Sequence, residues 1–265
     1  LARQTTELFH RRETIRFLVT SNLKASHRNK VLGHFWSLLD PLLFIGVYFF
    51  VFGILFGQTG DNKGLFVVYL SIGVLSWRFL DAAVSQATTC IRGNRGLIQE
   101  ISFPKAVFPI SVCFSRLYDF IWALVVLIPV VVLAGGNLNL NALWIVPLVG
   151  IHLVLVIGSV FIVAYLGAFF ADTPNIVSVL MRLLMYVSPT FYFVRGKHAR
   201  IPAEYLSIYM LNPIACLFES YRDALLWGQT PDPAMLAYLA VFSFALMLAG
   251  FAVFTLGEGR FAKYV

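Results

Sequence analysis

The 265-residue sequence is 59% apolar and only 12% charged, with a mean hydropathy of +0.81, which excludes an ordinary soluble domain and a disordered chain. Its length accommodates about six membrane-crossing helices and excludes a large soluble domain fused to them. The formal charge of +7 flanks apolar runs, so its first reading is membrane orientation and anionic lipid rather than nucleic acid.

The first 30 residues are polar and basic with no early apolar stretch, so no secretion signal is expected. Over residues 5–24, Leu8, Ile15, Leu18, Val19 and Leu23 recur at spacings of three, four and seven, with Arg11, Arg12, Arg16 and Lys24 as the cationic part. That pattern predicts an amphipathic helix lying in the membrane interface, with an ordinary solvated helix as the alternative. Trp36 is placed as an interfacial anchor.

Six apolar runs follow, at about 38–56, 65–90, 106–134, 142–170, 176–194 and 234–257. Residues 195–233 are long for a connection and still rich in apolar residues. Leu211-Asn212-Pro213 and the stretch from Leu217 to Asp223 read as short helices that re-enter the membrane, or as an external surface loop. The expected fold is an all-α membrane protein. It is one transmembrane domain over 1–265, with six transmembrane helices, an N-terminal interfacial helix within 1–37, and re-entrant helices before the last span. With the first segment inside, the inner segments carry twelve Lys and Arg against five outside, so both termini are expected in the cytoplasm.

Six charged residues fall within the runs: Asp40, Arg78, Asp81, Arg116, Asp119 and Arg182. Arg78 and Asp81, and likewise Arg116 and Asp119, are three apart and can share a helix face. Charges inside a membrane are costly unless paired, so the second and third spans are expected to cross-pair. The network either borders a transport path or only packs the helices together. Arg182 has no neighbouring partner in sequence. It meets an acidic group of a partner or substrate, or snorkels towards the cytoplasm.

Phe44, Tyr48, Phe52 and Phe56 repeat every four residues in the first run, and Tyr186, Phe191 and Tyr192 surround a Ser188-Pro189 break in the fifth. Such stripes face lipid or core, or they line a channel. Aromatic faces suit the apolar C–H faces of sugar rings and would hold a glycan weakly at many places. Cys90, Cys113 and Cys216 form no paired motif and read as buried thiols. No phosphate loop, metal-ligand spacing or nucleophile turn occurs, so an enzyme is poorly supported and no metal or catalytic residue is assigned.

The order of elements resembles the membrane permease subunit of bacterial polysaccharide ABC exporters, the family that exports O-antigen, capsule and teichoic acid. The matching stretches are Lys30-Val31-Leu32-Gly33 through Trp36-Ser37-Leu38-Leu39-Asp40-Pro41, Gly73-Val74-Leu75-Ser76-Trp77, Ile101-Ser102-Phe103-Pro104-Lys105, Ala171 to Ile176, Ser188-Pro189, Leu211-Asn212-Pro213 and Tyr221-Arg222-Asp223. Ala171-Asp172 departs from the Arg-Asp common there, so the basic member is lost.

The resemblance implies a homodimer in the bacterial inner membrane, working with two ABC ATPase subunits that hold ATP and Mg, and exporting a glycan on undecaprenyl diphosphate. No cofactor is expected on this chain. The resemblance makes 91–105 a coupling loop, with Asn94, Arg95, Gly96, Leu97, Ile98 and Gln99 against the ATPase. It puts Arg28 and Lys30 near the lipid diphosphate. The competing readings are an ABC exporter of lipids or drugs, a membrane-embedded glycolipid enzyme, and a channel.

Overall fold

The computed structural model describes residues 12–27, 36–55, 57, 63–100, 104–196 and 199–261, and these are all helical or irregular, with no strand among them. The helices are α1 (Arg12–His27), α2 (Trp36–Tyr48), α3 (Lys63–Ala87), α4 (Arg95–Glu100), α5 (Val107–Leu133), α6 (Ile145–Phe169), α7 (Thr173–Val187), α8 (Ala203–Tyr209), α9 (Pro213–Leu225) and α10 (Pro233–Gly257). A π-helix, Phe49–Leu55, continues α2, and 3₁₀ turns precede α4 and α6 and follow α10.

Four helical segments are long and apolar enough to cross a membrane: Gly64–Ala87, Val107–Leu133, Leu140–Phe169 and Pro233–Arg260. Leu39–Val51 and Thr173–Val187 are shorter apolar helices. At 1.5 Å per residue, the 15 residues of α7 span about 22 Å, short of the roughly 30 Å hydrocarbon core. The apolar run predicted to 194 therefore outlasts its helix. Pro189 cannot donate an N–H and biases Ser188 away from helical geometry, and Ser188 is extended (φ −85°, ψ 151°).

α3 is the hub and touches α2, α5, α6, α7 and α9. Its residues Phe66, Val68, Leu70, Ile72, Leu75 and Ala83 are buried on several faces, as expected of a helix surrounded by protein. α6 and α10 form the most extensive pairing, and α5 packs on α3. Outward faces carry Ile121, Val125, Ile128, Val132, Val241, Phe244 and Leu248, an apolar surface suited to lipid. The result is a multi-pass helical membrane protein.

The N-terminal amphipathic stretch forms a helix that rests on the bundle. α1 packs along α5, with Leu18 buried and Ile15 against the core, while Phe17 stays exposed. Residues 5–11 and the side chain of Trp36 lie outside the described residues. The two ends of the bundle are defined by contacts. At one, called here the near end, Lys105 just ahead of α5 bonds to Glu258 just after α10. At the far end Asn137 donates to the Leu226 carbonyl and Asn139 to that of Gly228.

One core position is open to a stability test. His152 is wholly buried among Phe79, Phe120 and Tyr221, and neither ring nitrogen has a hydrogen-bond partner among the described residues. Its ring therefore contributes packing only, while its polar atoms carry an uncompensated desolvation cost of about 1–3 kcal/mol. The His152→Phe variant is expected to keep the fold and raise the melting temperature in detergent. A fall of several degrees would show that the imidazole nitrogens matter.

Candidate functional site

The first and fifth apolar runs meet through their aromatic rings. Phe44 stacks on Tyr48 (6.1 Å between centroids), Tyr48 lies 4.9 Å from Phe191, and Phe191 lies 6.2 Å from Tyr186. Phe44 is 40% exposed and Tyr186 60%, so both ends of the row present a ring face. The π-helical turn begins one residue after Tyr48, a rare geometry that recurs at functional sites. Tyr192 leaves the row. Its hydroxyl donates to the Val187 carbonyl at 3.0 Å and lies 2.9 Å from the Tyr209 hydroxyl. The Phe52 side chain and Phe56 lie outside the described residues, as do Arg28 and Lys30.

The charges pair differently from the expected cross-pairing of the second and third spans. Arg78 Nη2 reaches Asp40 Oδ2 of α2 at 3.1 Å, and its guanidinium lies 4.1 Å over the Phe44 ring. Arg116 pairs within its own helix to Asp119 at 2.9 Å and donates from Nε to Gln86 of α3 at 2.8 Å. Asp81 accepts only a 3.4 Å hydrogen bond from Ser85 among the described residues. A side chain three residues along its own helix is always within reach, whereas the geometry between helices decides the rest. Arg182 projects from the exposed side of α7 without a described partner. The Arg78–Asp40 pair thus adjoins the aromatic row, and the two make one surface with apolar faces and a partly exposed ion pair.

A second cluster binds the segment after α7. Arg222 is 0% exposed. Its Nη1 donates to Glu219 Oε1 at 2.7 Å, its Nη2 to the carbonyls of Pro189 (2.6 Å) and Tyr69 (3.2 Å), and its plane lies 3.4 Å from the Tyr69 ring. The Tyr69 hydroxyl donates to the Tyr192 carbonyl at 2.7 Å and accepts from Val194 N–H at 3.3 Å. The donors to Pro189 and Tyr192 satisfy carbonyls that the break after α7 leaves open. Gly73 permits the approach, because a Cβ there would sit 2.7 Å from Arg222 Nη2 and 2.8 Å from the Thr190 carbonyl. Arg195 Nη1 lies 3.5 Å from the Asp223 carboxylate and ties it to the segment after α7. In the sequence Tyr221-Arg222-Asp223 stands out only as a family motif, and nothing in it gives Arg222 this task. The signal available was a charge inside an apolar helix.

At the near end, Ile98 of α4 is buried, while Arg95, Gly96, Leu97 and Gln99 are exposed. Asn94 Nδ2 donates to the Cys90 carbonyl at 2.7 Å and braces the turn before it. A Cβ at Gly96 would meet nothing within 4 Å, so this surface is open to a docking partner. The three cysteines are free and buried, as the sequence predicts.

Comparison with known proteins adds the family. The profile of the ABC-2 type transporter family matches residues 13–226. The O-antigen export system permease protein RfbA of Myxococcus xanthus is 28% identical over 272 aligned residues that cover 100% of both chains. The protein of the same name from Klebsiella pneumoniae is 26% identical over 247 residues, 93% of this chain and 92% of its own. The polysialic acid transport protein KpsM of Escherichia coli is 24% identical over 234 residues, 86% of each chain. With a family match spanning most of its length and a helical membrane bundle beneath it, the chain belongs to the ABC-2 type transporter permeases.

Proposed function

We propose that the chain is the permease subunit of an ATP-driven exporter that moves a lipid-linked polysaccharide, an O-antigen in the first instance, across the bacterial cytoplasmic membrane. The observation that carries this reading is the aromatic row of Phe44, Tyr48, Phe191 and Tyr186 joining α2 to the segment after α7. Exposed aromatic faces offer shallow apolar contact along a line, which suits a chain that must slide, and tyrosine adds a polar tip. The printed names of the relatives, O-antigen export and polysialic acid transport, support the same substrate class.

Two copies of the chain frame the channel, with α2 and α7 as walls. Each copy is a single domain that crosses six times, α7 being completed by the non-helical residues 188–194, while α8 and α9 re-enter from the far side. The near end and both termini face the cytoplasm. Two ABC ATPase subunits hold ATP and Mg and dock on α4, while this chain binds no cofactor and catalyses nothing. Arg28 and Lys30 meet the lipid diphosphate, and the pairs of Arg78 and Arg116 stabilise charge within the bilayer beside the path. Closure of the ATPase pair shifts α4 and biases two membrane states that differ in affinity for the chain.

Replacing Tyr48 and Phe52 with Ala is expected to slow glycan export about fivefold in a cell assay, at unchanged permease and ATPase levels. Unchanged export at normal protein levels would remove them from the wall. Stimulation of the complex's ATPase by lipid-linked glycan, and not by small hydrophobic compounds, separates this reading from a lipid or drug exporter.

A further inference from the structure

α3 carries one carboxylate that its surroundings leave incompletely bonded. Leu70, Val74, Asp81 and Ser85 recur at spacings of four, seven and four, so they share one face of the helix. The first part of that face is covered. Leu70 and Val74 are buried against Phe191, with Tyr48 of α2 and Met185 of α7 packed on them. Further towards the C-terminus of α3 the same face opens, where Asp81 is half-buried and Ser85 is exposed. Asp81 accepts one hydrogen bond, from Ser85 Oγ at 3.4 Å, and among the described residues no cation pairs with it. Arg78, one turn away, is committed to Asp40 and to the Phe44 ring.

A carboxylate offers about four acceptor positions, and one held within a membrane-crossing helix without a counter-charge marks a path for a polar ligand. Its position selects the ligand. α2 runs antiparallel to α3, since Asp40 meets Arg78 whereas Tyr48 meets the layer of Leu70 and Val74. Phe44 is therefore the member of the aromatic row nearest Asp81, and the carboxylate continues the row by about one helical turn. A ring face beside a carboxylate matches the two kinds of surface that a sugar unit presents, apolar C–H faces and donating hydroxyls. A metal ion fits less well, because no group of three acidic, His or Cys side chains gathers among the described residues. An anionic ligand would be repelled by Asp81, so uncharged sugar units are favoured.

We propose that Asp81, with Ser85, forms a subsite that accepts hydrogen bonds from the hydroxyls of uncharged sugar units beside the aromatic row, and so selects neutral over acidic glycans. This rests on the proposed function, since it takes a glycan as the chain that passes. The Asp81 carboxylate accepts from the sugar, while Ser85 Oγ donates to that carboxylate and keeps its own lone pairs for a second hydroxyl.

The test uses the complex of permease and ATPase in nanodiscs. The probes are undecaprenyl diphosphate carrying a neutral oligosaccharide and the same lipid carrying an oligosialic acid of equal length. In the unaltered complex the neutral probe is expected to reach half-maximal ATPase stimulation at about one tenth of the concentration that the acidic probe needs. Asp81→Ala is expected to raise that concentration for the neutral probe about tenfold and Asp81→Asn about threefold, with basal ATPase and melting temperature unchanged. Both variants are expected to bring the two probes within about twofold of each other. A preference of the unaltered complex for the acidic probe overturns the subsite. A shift that follows a lowered melting temperature in both variants also overturns it, because that is a folding effect. A disulfide between copies in the Asp81→Cys, Arg182→Cys double variant overturns it as well, by giving the carboxylate to a second copy of the chain. Stimulation that is the same with and without the Asp81 carboxylate removes the subsite alone. If neither probe stimulates the unaltered complex, the functional reading falls and the subsite with it.

Discussion

Arg222→Ala is expected to lose most of the folded protein. Truncation leaves Glu219, 2% exposed, without its 2.7 Å partner and the Pro189 carbonyl without its donor, and removes the extra donor that Arg222 lends the Tyr69 carbonyl within α3. Removing one member of a buried pair costs about 3–5 kcal/mol, a large part of the roughly 5–15 kcal/mol that holds a domain together. The cost falls on one place, the non-helical turn at Ser188-Pro189-Thr190 that brings Phe191 to Tyr48. Lys is no substitute, because one ammonium cannot reach Glu219 and two carbonyls while lying flat on the Tyr69 ring. The double variant Arg222→Met with Glu219→Leu is expected to recover part of the loss, since it removes both charges and leaves only the Pro189 carbonyl without its donor. Melting curves and size-exclusion profiles in detergent read all three. A single variant as stable as the unaltered chain would mean that water or lipid reaches Glu219.

Much of the helical layout is legible in the sequence, because apolar runs bounded by Gly, Pro and Asn are long and unambiguous. The third apolar run, 106–134, is the helix Val107–Leu133, and the last, 234–257, is the helix Pro233–Gly257. The fifth run misleads, because hydropathy continues through Phe191 and Val194 after Pro189 has ended hydrogen bonding. The residues stay apolar because protein covers them, and hydropathy does not distinguish that from a helix in lipid.

The candidate sites divide by the distance over which they are assembled. The pair of Arg116 and Asp119 is local and visible from a spacing of three. Arg78 finds Asp40 on another helix, and Arg222 finds Tyr69 across 153 positions of sequence, so no spacing rule reports them. The short helix α9 shows the same limit. Leu217, Tyr221 and Leu225 suggest one apolar face, yet Glu219, Arg222 and Asp223 are buried as well, because the opposite face packs against α3 and the post-α7 segment. A charged residue on a fully enclosed helix reads as solvent-facing until its partners are known.

Gly250→Leu is expected to separate α6 from α10 and destabilise the bundle by about 3 kcal/mol or more. A Cβ at Gly250 would overlap the Gly158 carbonyl oxygen, and one at Gly158 would lie 2.7 Å from the backbone of Leu246 and Met247. The obstacle is backbone, so no rotamer relieves it. Apolar lipid tails offer no hydrophobic drive for helix pairing, so close backbone approach at small residues carries the contact. Moving the helices apart also loosens Phe161 from Phe251 and Phe254, each 5.3 Å away between centroids. Gly250→Ala is expected to fall between the two. Gly150 lies on the same helix α6 with nothing within 4 Å of a Cβ, and Gly150→Ala is expected to be neutral or to stabilise by up to about 1 kcal/mol, as alanine does within a helix. The ordering of melting temperatures, Gly150→Ala at the top and Gly250→Leu at the bottom, checks the crossing. A Gly250→Leu protein that melts with the unaltered chain would mean that α6 and α10 are held by something other than their closest contact.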